Sequence, residues 1–408
     1  MKYDVVIVGA GAAGLLSAAM CAENGLKTAV IEKNEKTGRK LRITGKGRCN
    51  LTNDCTPEDV IAAVIKNGRF LYSALYTFSP ADTMRFFEEK GVPLKVERGN
   101  RVFPVSDRAD DVAYALESAA RKAGAFFFRD TVREIAVEND VVVGVRTNKM
   151  LYEADSVIIA CGGASYPATG STGDGAKLAQ KLGHDIVPLM PSLVPLVEKG
   201  DICKEMQGLS LKNSRITVKK ENKVVYEDFG ELLFTHFGLS GPMILSASAH
   251  MRDAEEKNYT VEIDLKPALS EKQLDERIQR DFLENKNKDY ANSLGALLPR
   301  KMIPVVIQLS HISAEKKCNE ITKEERRRLV RLLKSFEIEI AGFRPLSEAI
   351  VTAGGVNLKE VNPKTMESKK VKGLFFAGEV LDLDAYTGGF NLQIAFSTAA
   401  LAAKALNK

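Results

Sequence analysis

Residues 5–32 read VVIVGAGAAGLLSAAMCAENGLKTAVIE, and this stretch decides the fold. Val5 to Val8 is a β-branched run, the composition of a strand buried on both faces of a parallel sheet. Gly9-x-Gly11-x-x-Gly14 follows at once. Leu15 to Asn24 is rich in Ala and Leu and reads as a helix stopped at Gly25. Thr28 to Ile31 is a second strand, closed by Glu32. Together they form a strand–helix–strand unit of about thirty residues. In such a unit Gly9 makes the tight turn, Gly11 lets the backbone approach a pyrophosphate, and Gly14 lets the helix lie close on the strand. The helix N-terminus offers N–H groups and a positive dipole end to that anion. Glu32 stands at the end of the second strand, where a carboxylate can accept from both ribose hydroxyls of an adenosine.

Val5 to Ala22 carries no charge, and hydropathy alone would read it as a membrane span. Its length is borderline for one, since about 20 residues are needed. Three glycines interrupt it and Asp4 precedes it. A signal peptide needs a basic start, an apolar run and a small-residue cleavage site. The stretch divides better into strand, turn and helix, so no membrane partner is expected.

The rest of the composition is ordinary. The 408 residues predict two to three domains, and 45% hydrophobic with 27% charged residues excludes a disordered or fibrous chain. The net charge of +5 is small for this length and does not demand nucleic acid or a lipid surface. Six cysteines without a CxxC pair suit neither a disulfide framework nor a zinc site, and fit a reducing cytoplasm. The four histidines have no ligand spacing, so no metal is expected.

Further along, helices are predicted at 57–66, 80–90, 110–123 and 175–182, and strands at 132–137, 141–146 and 155–160. Pro188, Pro191 and Pro195 mark a domain crossing, because proline removes donors and breaks regular elements. From there to about 265 the pattern alternates as strands do. From 270 it becomes helical, with capping-box spacing at Ser270/Gln273 and Thr322/Glu325. Strand character returns at 349–351 and 374–377, and 391–404 is a final helix. The prediction is an α/β, doubly wound domain at 1–189 and 343–408. An insertion interrupts it, β-rich and substrate-facing at 190–268 and small and helical at 269–342.

Three further stretches carry chemistry. Residues 37–53, TGRKLRITGKGRCNLTN, place Arg39, Lys40, Arg42, Lys46 and Arg48 in ten residues. Glycines at 45 and 47 free the backbone, so the loop can bring donors to a phosphate or to a flavin ring edge. A solvated basic loop and an RNA-contacting loop are the alternatives. Residues 158–175, IIACGGASYPATGSTGDG, end a strand in Gly162-Gly163, where a planar ligand can come close. Residues 373–405 deliver Gly378-Glu379, then Asp382 and Asp384, then Gly388-Gly389 at the head of the last helix. That helix's positive end would stabilise charge on the pyrimidine edge of a reduced flavin. One extended dinucleotide accounts for motifs at both ends and in the middle of the chain.

These residues resemble the BaiN-like flavoproteins, FAD-dependent oxidoreductases distantly related to the fumarate reductase and succinate dehydrogenase flavoproteins. The likeness covers essentially the whole chain. It rests on GRCNLTN at 47–53, RVFPVSDRADDV at 101–112, FTHFGLSGP at 234–242, VTAGGV at 351–356 and the C-terminal TGGFNLQIA. The resemblance implies a two-dinucleotide-binding-type FAD domain with a β-barrel-like and a small helical insert. It gives the candidate cofactor residues as Gly9, Gly11, Ala12, Ala13, Gly14, Glu32, Lys33, Arg39, Lys40, Gly47, Arg48, Cys49, Asn50, Val132, Cys161 and Gly162. Gly378, Glu379, Asp382, Gly388, Gly389, Asn391 and Leu392 complete the set. Where many relatives have consecutive glycines, this chain has Gly45-Lys46-Gly47, which puts a cation near the flavin.

The hard chemistry would belong to the cofactor. Hydride transfer between flavin N5 and a small organic substrate is expected. The resemblance points to reduction of an activated, enone-type C=C bond with NADH or NADPH as donor. The alternatives are oxidation of a small amine by oxygen, a nucleic-acid-modifying flavoprotein and a flavin-binding sensor. Proton-donor candidates are His236, Tyr386 and Lys46. Only one complete GxGxxG occurs, so a nicotinamide donor would use the substrate's own cleft and alternate with it. A nucleic-acid partner is not expected, and no motif sets an oligomeric state.

Overall fold

The computed structural model describes residues 2–254 and 257–407. The chain folds as two units, Met1–Ser192 with Pro345–Lys408, and Leu193–Arg344.

The first unit is built on the opening motif. Strands β1 (Tyr3–Val8) and β2 (Thr28–Glu32) flank helix α1 (Ala12–Glu23). The helix starts at Ala12, three residues before the predicted start, because the Gly9 turn closes within the motif. Strands β3 (Thr52–Asn53), β4 (Leu94–Glu97) and β5 (Arg101–Pro104) form a small antiparallel sheet in the order β3-β5-β4. Strand β6 (Phe126–Arg129) returns to the main sheet, followed by a meander of β7 (Val132–Glu138), β8 (Val141–Thr147) and β9 (Leu151–Ile159). Strand β10 (Ile186–Ser192) follows, although Pro188 and Pro191 lie inside it.

The second unit is a closed barrel with helices. Its strands are β11 (Leu196–Glu198), β12 (Ser210–Lys220), β13 (Lys223–Thr235), β14 (Gly238–Ser240), β15 (Tyr259–Asp264) and β16 (Phe336–Phe343), in the order β11-β14-β13-β12-β15-β16. Alternation fills the barrel: Tyr259, Val261 and Ile263 on β15, and Phe336, Ile338 and Ile340 on β16, are buried. Ser270 and Thr322 cap the helices Glu271–Glu284 and Lys323–Lys334 as their spacing predicts. Leu274, Ile278 and Phe282 on one, and Leu329, Val330 and Leu333 on the other, join the same core. The helical stretch thus ends before β16, which the sequence pattern places inside it.

The chain then returns to the first unit as β17 (Val351–Val356) and β18 (Leu374–Phe376). Strand β17 pairs β10 antiparallel, with an irregularity between Val187 and Met190. Strand β10 has this one neighbour, so its prolines need no second set of donors. Strand β18 pairs β9 parallel. The parallel core of the main sheet is therefore β6-β2-β1-β9-β18. Helix α1 packs on the last helix, Phe390–Leu406, where Ser17 Oγ donates to Ala399 O (3.5 Å). No helix among the described residues is long and apolar enough to cross a membrane.

Candidate functional site

In parallel sheets ligands gather at the carboxyl ends of the strands. Register places Val8 beside Ile31 and Ile159, Ile159 beside Phe376, and Glu32 beside Arg129. Three of the four sequence signals therefore leave the sheet along one edge: Gly9, Gly162 and Gly378 each follow a strand end there, and Glu32 closes β2.

The first glycine motif is closed where packing needs it and open where a ligand would. A Cβ on Gly14 would lie 1.9 Å from Gly9 O, and one on Gly9, at φ +98°, would lie 2.9 Å from Ala160 O. A Cβ on Gly11 would meet nothing within 4 Å. Gly11 caps α1 without a side-chain hydrogen bond, and the first turn holds no acidic residue. The N–H groups of Ala12 and Ala13 thus open α1 with only the positive dipole end around them. Glu32 is held in place: Oε2 accepts from Ala10 N (2.8 Å), and Oε1 accepts from Asn34 N (2.8 Å) and Asn34 Nδ2 (2.7 Å). Oε1 thus has both lone pairs occupied, and Oε2 keeps one for a further donor. Next to it, Asp130 N donates to Glu32 O, and the buried Asp130 Oδ2 has no hydrogen-bond partner among the described residues. Val132 opens β7 two residues on. An open glycine cradle, uncapped helix donors and a buried acceptor beside a ribose-type carboxylate fit an adenine dinucleotide.

The basic loop is less open than its sequence. Arg39 Nη1 donates to Asn34 Oδ1 (3.0 Å), and Arg42 pairs with Asp110. Lys40 Nζ donates to Ser165 Oγ (2.6 Å) and to both oxygens of Glu379 (2.9 and 2.7 Å). Glu379 Oε1 also accepts from Thr352 N (2.8 Å). Arg48 bonds Asp107 and Glu97 and lies over the Phe103 ring at 4.3 Å. Lys33 donates to Thr172 Oγ1 (2.7 Å) and Asp174 Oδ2 (2.6 Å). Four of the loop's five cations thus have internal acceptors. Lys46, exposed and at φ +58° beside Gly47, has no acceptor among the described residues.

Burial pushes the Cys49 and Cys161 thiols up to about 12, which disfavours the thiolate. Cys161 Sγ donates to Val8 O (3.4 Å).

The signature motifs meet one another. Asn50, with its amide oriented by its neighbours, donates to Thr52 O (3.0 Å) and Val102 O (3.2 Å) and accepts from Gly389 N (3.0 Å). Asn53 Nδ2 donates to Gly388 O (3.0 Å). A Cβ on Gly389 would lie 2.2 Å from Thr52 O, so only glycine lets β3 approach the head of the last helix. Below them, Gln393 Oε1 accepts from Thr52 Oγ1 (2.6 Å) and Thr83 Oγ1 (2.8 Å), and Gln393 Nε2 donates to Phe78 O (3.1 Å). Asn391 turns its amide back: Ala385 N donates to Oδ1 (3.0 Å) and Nδ2 donates to Ala385 O (2.8 Å). Asn391 therefore shapes the 382–386 loop that carries Asp382 and Tyr386. Leu392 is half-buried against the core. Gly378 N donates to Thr398 Oγ1 (3.0 Å), and its missing Cβ makes room for Ala13.

Of the proton-donor candidates, Lys46 and Tyr386 belong to the first unit. His236 belongs to the barrel, in the turn between β13 and β14 with its ring edge-on to Phe237 at 5.0 Å. Sequence reasoning missed Asn34, Ser165, Thr352 and Gln393. A glutamine inside the Ala/Leu-rich last helix was the available signal.

A family model described as the HI0933-like protein Rossmann domain matches residues 3–405. The chain is 31% identical over 407 residues to a 3-dehydro-bile acid delta(4,6)-reductase of Clostridium scindens, covering 98% of each. It is 32% identical over 410 residues to a ribosomal RNA dihydrouridine synthase of Haemophilus influenzae, covering 99% of this chain and 98% of that protein. In fold it is similar to the 3-ketosteroid-delta4-(5alpha)-dehydrogenase of Rhodococcus jostii, with a TM-score of 0.55 at 14% identity, covering 100% of this chain and 97% of that one.

Proposed function

The chain belongs to the HI0933-like family and is an FAD-dependent oxidoreductase, and on that premise we propose that it reduces a carbon–carbon double bond conjugated to a carbonyl, with NADH or NADPH as the electron donor. One observation carries this reading. Two relatives matched along nearly their whole length bear names that share one chemistry. A Δ4-3-ketone and the C5=C6–C4=O unit of uracil are both double bonds in conjugation with a carbonyl.

FAD, when bound, supplies the hydride. The chain's part is to hold, orient and protonate. The backbone of Gly11, Ala12 and Ala13 would take the pyrophosphate, Glu32 the adenosine ribose, and the start of β7 at Val132 the adenine. The loop from Gly47 to Asn50, Gly162, Glu379, Asp382 and the Gly388-Gly389 helix head would frame the flavin ring. Lys40 acts through Glu379, and Arg48 and Asn391 act by holding their loops. Hydride adds at the carbon β to the carbonyl, the electron pair moves toward the carbonyl, and the α-carbon takes a proton. Tyr386, Lys46 and His236 are the candidate donors.

Two substrate classes share this step: a small enone, and a uracil within ribosomal RNA. The second is favoured by the Haemophilus relative. The basic 39–48 loop does not add to it, because most of its charge is neutralised internally. The test is product analysis. The protein is incubated anaerobically with NADH or NADPH and, in separate reactions, a Δ4-3-ketosteroid or ribosomal RNA lacking dihydrouridine. A gain of two hydrogens in either product supports the reading and selects the class. No gain in either, with amines oxidised under oxygen instead, would overturn it.

A further inference from the structure

Residues 66–76 read KNGRFLYSALY. They form a tight turn and most of the short helix Tyr72–Thr77. The inner face of this segment is fixed: Leu71, Ala74 and Leu75 are buried in the core, and Gly68 packs so closely on Ile61 O that a Cβ would lie 2.4 Å away. The outer face is unusual. Tyr72 and Tyr76 are 47% and 64% exposed, large values for aromatic rings. Their planes are near parallel, 14° apart with centroids at 6.3 Å. The Tyr76 hydroxyl donates to Glu58, which orients its ring. Asp59, the other acid of the preceding helix, is occupied in the Thr56 capping box. Lys66 and Arg69 are exposed, and among the described residues neither has an ion-pair or hydrogen-bond partner.

The segment is joined to the candidate site. Ile65 N donates to Asp384 O (2.9 Å), Tyr386 N donates to Ala63 O (3.0 Å), and Val64 bridges Ala385 antiparallel. The loop that carries Tyr386 is thus continuous by hydrogen bonds with the turn that carries the two tyrosines.

We propose that this face docks single-stranded RNA, with bases stacked on Tyr72 and Tyr76 and phosphates met by Lys66 and Arg69. Paired aromatic rings with flanking cations are the elements of sequence-tolerant single-strand binding. The rings offer π-faces to any base, and the cations match the backbone charge. The proposal rests on the ribosomal RNA reading of the site and names where that substrate is gripped. It also explains how a chain with a small net charge and an internally paired basic loop can hold a polyanion: two positioned cations and two rings suffice for a short segment.

The probe is a short fluorescein-labelled single-stranded oligouridylate, followed by anisotropy on the flavin-loaded protein. Tyr72→Ala and Tyr76→Ala are each expected to weaken binding about tenfold, whereas Tyr76→Phe keeps the ring and binds nearly as wild type. Lys66→Gln with Arg69→Gln should lower the slope of log affinity against log salt by about 1.4, the share of two phosphates on a single strand. Flavin content and turnover of a small enone should stay unchanged in all of these variants. Wild-type binding that these variants leave untouched would overturn this surface and spare the RNA reading. A wild-type protein that binds no oligouridylate at low salt would overturn both. Self-association of the protein that Tyr72→Ala abolishes, without any RNA effect, would assign the face to a second copy instead.

Discussion

The ammonium of Lys40 lies 2.9 and 2.7 Å from the two carboxylate oxygens of Glu379, across 339 residues of sequence. The pair ties the basic loop to the end of β18, and Ser165 and Thr352 complete its hydrogen bonds. Side chains are 25% and 20% exposed, so water screens the pair only in part.

Removing one partner should therefore cost more than a surface ion pair does. Lys40→Met and Glu379→Gln are each expected to lower unfolding free energy by about 1–3 kcal/mol and to lower flavin occupancy. The double variant should lose less than the sum, because the two residues share one interaction. Urea denaturation with flavin release measures both. Additive losses, or a single variant with full stability and flavin, would remove the pair from the account.

Gly11 and Gly14 separate cofactor binding from folding. Gly11→Ala meets open space, so the protein should fold within about 1 kcal/mol of wild type yet bind FAD weakly, since the new methyl stands where the pyrophosphate comes close. Gly14→Ala places a Cβ 1.9 Å from Gly9 O and should fail to fold or lose several kcal/mol, about 3 or more. Thermal melts of the apoproteins alongside FAD titrations decide the matter. Equal FAD affinity in Gly11→Ala would contradict the cradle.

The buried Thr52–Gln393–Thr83 cluster should behave as one unit. Gln393→Leu leaves the Thr52 and Thr83 hydroxyls without this acceptor, while Phe78 O keeps the hydrogen bond from Ser397 Oγ, a cost of about 2–4 kcal/mol. Thr52→Val alone should cost about 1 kcal/mol. Added to Gln393→Leu, it should cost nearly nothing further, as a chemical-denaturation cycle would show.

The opening motif and the final helix were legible because each has a period and a punctuation that a chain can show locally. Val5–Val8 and Gly9-x-Gly11-x-x-Gly14 need only their neighbours to be read. Strand β10 was not legible, because proline reads as a breaker unless the strand has a single neighbour, and pairing is set by the distant β17. Strand β16 alternates openly in FEIEIAGF, but it follows a long helical stretch and merges with it in the sequence pattern. The roles of the cations in 39–48 were hidden for a related reason. Composition counts charges, while Glu97, Asp107, Asp110 and Glu379, which neutralise them, are far away in the chain.

His184 gives a pH dependence with a definite sign. Its ring is buried, with Nδ1 3.1 Å from Glu360 Oε2 and Nε2 3.0 Å from Ser368 Oγ. Burial lowers its proton affinity more than Glu360 raises it, with Lys370 acting in the same direction as burial. The folded state thus prefers the neutral ring, and the stability this gives is present above about pH 6.5 and lost as pH falls below that through the folded value. Glu360 is lowered from its ordinary value, because its burial is outweighed by hydrogen bonds from Lys370 and Asp185 N, and adds a separate loss below about pH 4.5. The melting temperature should fall between pH 7 and 5, and His184→Gln should flatten that decline. An unchanged slope in the variant would assign the pH dependence elsewhere.

The most direct test of the central claim follows the flavin's own absorbance without oxygen. The purified protein is first bleached with a limiting amount of NADH or NADPH. A Δ4-3-ketosteroid or uridine-containing ribosomal RNA is then added anaerobically. Return of the oxidised band, one flavin for each double bond reduced, is the result this account predicts. A band that stays bleached with both acceptors and returns only when oxygen is admitted would contradict it.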